Sequence, residues 1–131
     1  PNKRNGCKGF NVSTCRDQLL LARLLVKMPQ VFRYTSVKIG EVTDGGGEKL
    51  RFVNHNNVMV KDKLKVINPD GSEAVDGLKT GYINAGGSSI VLTGKREGKR
   101  AVVIVLGSAS SDIREEHASR LMNDALEALV W

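Results

Sequence analysis

Aromatic residues make up only 5% of this 131-residue chain. That is too few for the stacked aromatic platforms on which single-stranded nucleic acids are bound. Histidine occurs twice and cysteine twice, with no close cluster of the two, so a zinc site is not expected. Cys7 and Cys15 do not decide a redox compartment: they could close a short loop, or Cys15 could be an inert buried thiol. The longest apolar run, "AVVIVLG" at 101–107, suits a buried strand and falls far short of a membrane span. The net charge of +6 favours anionic partners in general. Its lysines and arginines are scattered, however, which points to a solvated surface and away from a nucleic-acid groove.

What is present reads as alternating helix and strand signals. "PNKRNGCKGFNV" is a polar, glycine-containing loop, and its end with Ser13 forms an Asn11-Val12-Ser13 glycosylation sequon. "STCRDQLLLARLLVKMPQ" predicts a helix over 14–27. Thr14 and Asp17 form a capping box, Leu20, Leu21, Leu24 and Leu25 an apolar stripe, and Pro29 a stop. A short helical turn around 30–34 can follow. Residues 36–57 predict a hairpin turning at "DGGG", with Val37, Ile39 and Val42 on one face of the first strand and Leu50, Phe52 and His55 marking the second. "KDKLKVINPDGSEAVDG" reads as an exposed excursion with a turn at Asn-Pro-Asp-Gly. Strands at 77–83, 87–94 and 100–107 come next, and then an amphipathic helix capped by Ser111 or Asp112, with Ile113, Leu121, Ala125 and Leu129 near one face. This order predicts an α+β fold, an antiparallel β-sheet flanked by helices.

The stretch "VDGLKTGY", residues 75–82, carries the chemistry. Asp76-Gly77 reads as a turn; Lys79, Thr80 and Gly81 then sit on strand-like sequence. A lysine there offers a fixed charge, the threonine a hydroxyl, and the glycine a close approach to the backbone. The set suits a ligand that lies along the strand and ends in a carboxylate. Three residues alone are a common string, and "GLKTG" lacks the glycine spacing of a phosphate loop. Lone His55, amid asparagines, reads as a residue that ties down a loop, and His117, between acidic and small residues, as solvent-facing; neither suggests a Ser-His-Asp arrangement.

Lys-Thr-Gly is one of the three elements of active-site-serine penicillin-recognising enzymes. With "NVSTCRDQLLLARLL", "FVNHNNVM", the two strands of "SSIVLTGKREGKRAVVIVLGS" and the closing helix, the sequence resembles the D-alanyl-D-alanine carboxypeptidases, low-molecular-mass penicillin-binding proteins, from about residue 11 to 130. The resemblance implies part of a β-lactamase/transpeptidase-like fold. It also implies that Lys79 is catalytic, that Thr80 binds the terminal carboxylate, and that Gly81 keeps the strand edge open. By the same resemblance, the Tyr82 amide is an oxyanion donor and Arg114 assists carboxylate recognition. From the residues alone, a surface Arg114 is equally economical. The implied partners are peptidoglycan stem peptides and β-lactam antibiotics, with no cofactor and no metal, in the bacterial cell envelope; nucleic acid is not among them.

The family also needs a nucleophilic serine with a lysine one helical turn later, and a Ser-x-Asn element. Neither pattern occurs at any serine here; Ser36 comes nearest, with Lys38 one residue out of step. The chain starts at Pro1 without an initiator methionine or signal segment. It is therefore expected to be the C-terminal segment of a longer catalytic domain, inactive alone, exposing apolar surface and needing its N-terminal part or a homo-oligomeric contact. Any membrane association would come from regions outside it. The extra glycine in Gly86-Gly87 is expected to loosen the entrance to the strand. Competing readings are a related transpeptidase, endopeptidase or β-lactamase, and a non-catalytic basic module that binds an anionic wall polymer or nucleic acid.

Overall fold

Thr14 opens the first helix by the reciprocal bonding its sequence predicts. Its hydroxyl accepts the Asp17 amide at 3.1 Å, and the Asp17 carboxylate accepts the Thr14 amide at 3.0 Å. In the computed structural model, which describes residues 11–129, this helix α1 runs Cys15–Leu25 and ends two residues short of expectation. Pro29 does more than stop it: fixed φ and the missing amide place it at the start of α2, Pro29–Thr35. The hairpin forms as predicted from β1, Ile39–Thr43, and β2, Lys49–Val53. One Asp44 carboxylate oxygen accepts the Gly46 and Glu48 amides, both at 2.9 Å, and so shapes the turn. A one-turn helix α3, Asn57–Val60, precedes a 3₁₀ turn at Asp62–Leu64.

The main sheet has β3 (Val75–Ile83), β4 (Gly87–Arg96) and β5 (Lys99–Ser108) in antiparallel order β3-β4-β5, followed by α4, Ser111–Ala128. Along β4, Ser88, Ile90, Leu92, Gly94 and Arg96 are buried on one face, as the strand pleat dictates, and Thr93 is buried on the other beneath Arg100. Glu97 and Gly98 turn into β5 with positive φ of 50° and 77°, the hairpin geometry that follows strand twist. Gly87 does not loosen the β3–β4 junction. Its φ is 67°, a Cβ there would lie 2.6 Å from the Ser108 carbonyl oxygen, and the Gly86 amide bonds to Ile83 at 3.1 Å. The second glycine is what allows this tight turn.

The core lies between one face of this sheet and α4, and segment 58–75 closes it. Val58, Met59, Val66, Ala74, Ile90, Leu92, Val103, Ala118, Met122 and Leu126 are all buried. Several expectations are corrected here. The excursion at 61–77 is not simply exposed, because Val66 and Ala74 are pinned under α4 while its Asn68–Gly71 turn stays outside. In α4 the buried line is Glu115, Ala118, Met122 and Leu126, with Ala125 and Leu129 at its margin; Ile113 and Leu121 face outward. Met122 packs closely on the sheet at Gly94, where a Cβ would meet its sulfur at 3.0 Å. In α1 only Ala22 is buried, and Leu20, Leu21 and Leu24 are each more than half exposed. The apolar stripe is real, but no described residue covers it. Cys15 is also exposed, not buried; any pairing with Cys7 lies outside the described residues.

Asp76-Gly77 is not a turn between elements but a bulge inside β3. Gly77 is required there, since a Cβ would sit 2.6 Å from the Thr35 hydroxyl, which donates to the Asp76 carbonyl at 3.0 Å. Arg100 grips the Asp76 carboxylate with both terminal nitrogens at 2.8 and 2.9 Å and donates to the Thr93 hydroxyl at 2.8 Å. Its guanidinium also lies 4.3 Å above the Phe32 ring, so one side chain joins α2, β3, β4 and β5. No helix among the described residues is long and apolar enough to cross a membrane.

Two outcomes are expected. Leu92→Ala should cost about 2–5 kcal/mol by leaving a cavity, whereas Leu24→Ala on the uncovered face should stay within about 0.5 kcal/mol; urea unfolding measures both. The second concerns Glu73, which takes an ion pair from Lys38 and another from Lys65 at 3.1 Å, while Lys65 reaches Asp62 at 2.7 Å. The Lys38 hydrogen bond, opposed by desolvation and aided by Lys65, holds the Glu73 carboxyl below its ordinary 4.5. Asp62 is lowered by Lys65, and Lys65 is raised above 10.5, first by Asp62 and then by Glu73. The carboxylate contribution is therefore present above the unfolded pKa and lost as pH falls through the depressed folded values; the Lys65 contribution is lost only as pH rises through its raised value. Melting curves taken from about pH 7 to about pH 3 should show Tm falling at the acid end, with a shallower fall in Glu73→Gln.

Candidate active-site cleft

The half of β3 beyond the bulge lies on an open edge of the sheet, because β3 is the outermost strand. Across from it stands the end of β2 and the segment leading to α3, with the first turn of α4 between them. These three walls enclose a cleft of ≈ 940 Å³ lined by Lys79, Thr80, Gly81, Tyr82, Arg51, His55, Asn57, Ser111, Arg114 and Glu115 among others. All five residues singled out in the sequence as site candidates therefore meet in one place.

Each is placed by its element. Lys79 is exposed, and its ammonium donates to the Thr80 carbonyl oxygen. Thr80 is half-buried, and a Cβ on Gly81 would meet nothing within 4 Å, so the face of the strand is open at this point. The Tyr82 side chain is exposed and its hydroxyl lies 2.9 Å from the Asn84 amide oxygen. Arg114 departs from the surface alternative, being only 5% exposed. Its Nη2 donates to the Glu115 Oε1 at 2.6 Å, and Asn57 Nδ2 donates to the same oxygen at 2.8 Å. A cation in the first turn opposes the helix dipole; the adjacent buried carboxylate offsets that cost. The helix cap is Ser110, whose hydroxyl accepts the Ile113 amide at 3.2 Å, one residue before the predicted Ser111.

The opposite wall is held by Asn54 and not by His55. The Asn54 side-chain amide donates to the carbonyls of Thr35 and Val37 at 3.1 and 2.9 Å, and its oxygen accepts the Asn56 amide at 2.9 Å. An amide side chain carries donors and an acceptor at once, which the geometry here uses in full. His55 is exposed and lines the cleft; His117 is exposed on α4, as expected. Glu115, Asn57 and Arg51 were not legible as cleft residues. "IREEH" reads as a solvated charge run, and nothing local marks Glu115 as fully buried.

Arg51, Lys79 and Arg114 set three cations against the single Glu115 in this cleft, a field that suits a carboxylate. Among the described residues no group of three or more His, Cys, Asp or Glu could hold a metal. Its one serine, Ser111, has Arg114 three residues on and no lysine there to act as a base. The cleft thus gathers cationic and hydroxyl-bearing side chains, with no serine–lysine pair at Ser-x-x-Lys spacing among them.

A sequence model described as D-alanyl-D-alanine carboxypeptidase matches residues 2–110. The chain belongs to the D-alanyl-D-alanine carboxypeptidase family. Among solved structures, ampicillin-bound penicillin-binding protein D2 of Listeria monocytogenes is 26% identical with a TM-score of 0.62, over 90% of this chain and 45% of that one. A single-residue variant of the Streptomyces K15 DD-transpeptidase, at 23% identity, shares the fold with a TM-score of 0.74 over 92% of this chain and 45% of that one. The α+β fold is thus that of β-lactamase/transpeptidase-like homologues, and the chain spans less than half the length of these two proteins. No curated protein matches it. Within this family fold, Asn54→Ala should free the hairpin wall at a cost of about 1–3 kcal/mol. Hydrogen exchange should then quicken at residues 49–53 and not in β4.

Proposed function

We propose that this chain is the C-terminal part of a serine-type D-alanyl-D-alanine carboxypeptidase of peptidoglycan metabolism, working in the bacterial cell envelope. The observation that carries the reading is the meeting of Lys79-Thr80-Gly81, on an open strand edge, with the buried Arg114 across a cationic cleft, in a chain of this family. In this reading a stem peptide ending in D-Ala-D-Ala lies antiparallel to β3, using backbone groups that an edge strand leaves unpaired. Thr80 and Arg114 take its terminal carboxylate, Thr80 by a hydroxyl hydrogen bond and Arg114 by charge. The serine, from a region outside this chain, attacks the penultimate D-alanine carbonyl. The Tyr82 amide supplies one donor to the oxyanion that forms, and Lys79 keeps the surroundings of the serine polar and able to pass a proton. D-alanine leaves, and water releases the acyl-enzyme. Penicillins would enter by the same carboxylate contacts.

The test uses the complete polypeptide with a D-Ala-D-Ala-terminated peptide. Free D-alanine without cross-linked product is expected, and Thr80→Val should lower kcat/KM about 10- to 100-fold by removing a hydrogen bond to a charged group. The 131-residue chain alone should take no covalent label from a fluorescent penicillin. A labelled band from it, or cross-linked product from the complete polypeptide, overturns the reading.

A further inference from the structure

Glu115 is fully buried, yet it carries a charge, and a buried ion pair is not in itself a stabilising device. Its contacts are unequal. Oε1 receives Arg114 Nη2 at 2.6 Å from the same helix and Asn57 Nδ2 at 2.8 Å from α3. Oε2 has no hydrogen bond among the described residues and is faced by the Lys61 ammonium 3.9 Å away, itself 3.6 Å from Asp112. Two donors from two elements thus converge on one oxygen and fix it, and that oxygen in turn fixes the guanidinium. The carboxylate's remaining charge is drawn to Lys61. Arg114 spends Nη2 on Glu115, and its Nε has no acceptor among the described residues. The guanidinium is therefore locked in orientation at the cleft wall without all its donors being used.

We propose that Glu115, itself held by Asn57, is a positioning residue that sets the Arg114 guanidinium for the terminal carboxylate of the ligand. This rests on Arg114 being the carboxylate partner proposed above. Glu115 does not touch the ligand; it acts through the rotamer of Arg114, whose Nη2 it holds.

The experiment measures, in the complete polypeptide, the ratio of kcat/KM for a D-Ala-D-Ala peptide to that for the same peptide with its C-terminus amidated. Arg114→Ala serves as the reference for the ratio without a carboxylate partner. Glu115→Ala should lower the ratio about 10- to 100-fold, as misplacement of a binding group does. Glu115→Gln should recover most of that loss, since its amide oxygen can accept the same two hydrogen bonds. Should Glu115→Ala fail to fold, Glu115→Asp decides: it keeps the charge but withdraws the oxygen, and it should lose discrimination where Glu115→Gln keeps it. A Glu115→Ala or Glu115→Asp ratio within about twofold of the parent overturns the positioning role, as does a Glu115→Gln ratio as low as that of Glu115→Ala. An Arg114→Ala ratio equal to that of the parent instead overturns the reading of Arg114 on which this one stands.

Discussion

Arg100 is the residue on which the working strand depends. Through Asp76 it anchors β3 at the bulge, and through Thr93 and Phe32 it ties that anchor to the neighbouring strand and to α2. A bidentate arginine–carboxylate pair has fixed planar geometry, so it sets direction as well as distance. With residues 75–77 held, the strand beyond them can run along an open edge and still be well placed. Lys79 to Tyr82 can therefore be exposed to a ligand without being loose.

The cleft repeats this division between anchoring and presentation. Asn54 holds the hairpin wall by bonds to Thr35 and Val37, which leaves His55 and Arg51 facing the cleft. Glu115 and Asn57 hold Arg114 while the guanidinium lines the same space. In each wall a polar side chain drawn in from the surface, Asn54 in one and Glu115 in the other, fixes a neighbour that lines the cleft. Buried polar contacts of this kind confer orientation, where apolar packing alone would confer only stability. The apolar core lies elsewhere, under the sheet, and the leucine face of α1 is left open.

Much of this was legible from local patterns. The Thr14–Asp17 capping box, the Asp44 turn and the Asn68–Gly71 turn each follow from a few adjacent residues and their backbone needs. The Lys-Thr-Gly strand and the early arginine of the last helix were legible as a family pattern, and the structure brings them to one cleft. What misled were features whose meaning depends on distant neighbours. Asp76-Gly77 has the composition of a turn, but Arg100 and Thr35 make it a bulge. The exposed-looking 61–77 segment buries Val66 and Ala74 because α4 returns over it. Ile113 and Leu121 are apolar enough for a core, but the face of α4 that meets the sheet is the one carrying Ala118, Met122 and Leu126.

By itself, the sequence determined the two longer helices, the hairpin, the three sheet strands and the identity of the motif strand, because helix caps and turn chemistry act over a few residues; the short helical turns at 57–64 carried no such local signal. It also settled that no Ser-x-x-Lys accompanies Lys79. Tertiary structure alone decided which apolar faces are covered, that Glu115 is buried beside Arg114, and that Asn54 and not His55 holds the facing wall. Those outcomes depend on close packing between segments 17 to 58 residues apart, where burial and hydrogen-bond geometry are set by what the chain brings back and not by what lies beside each residue.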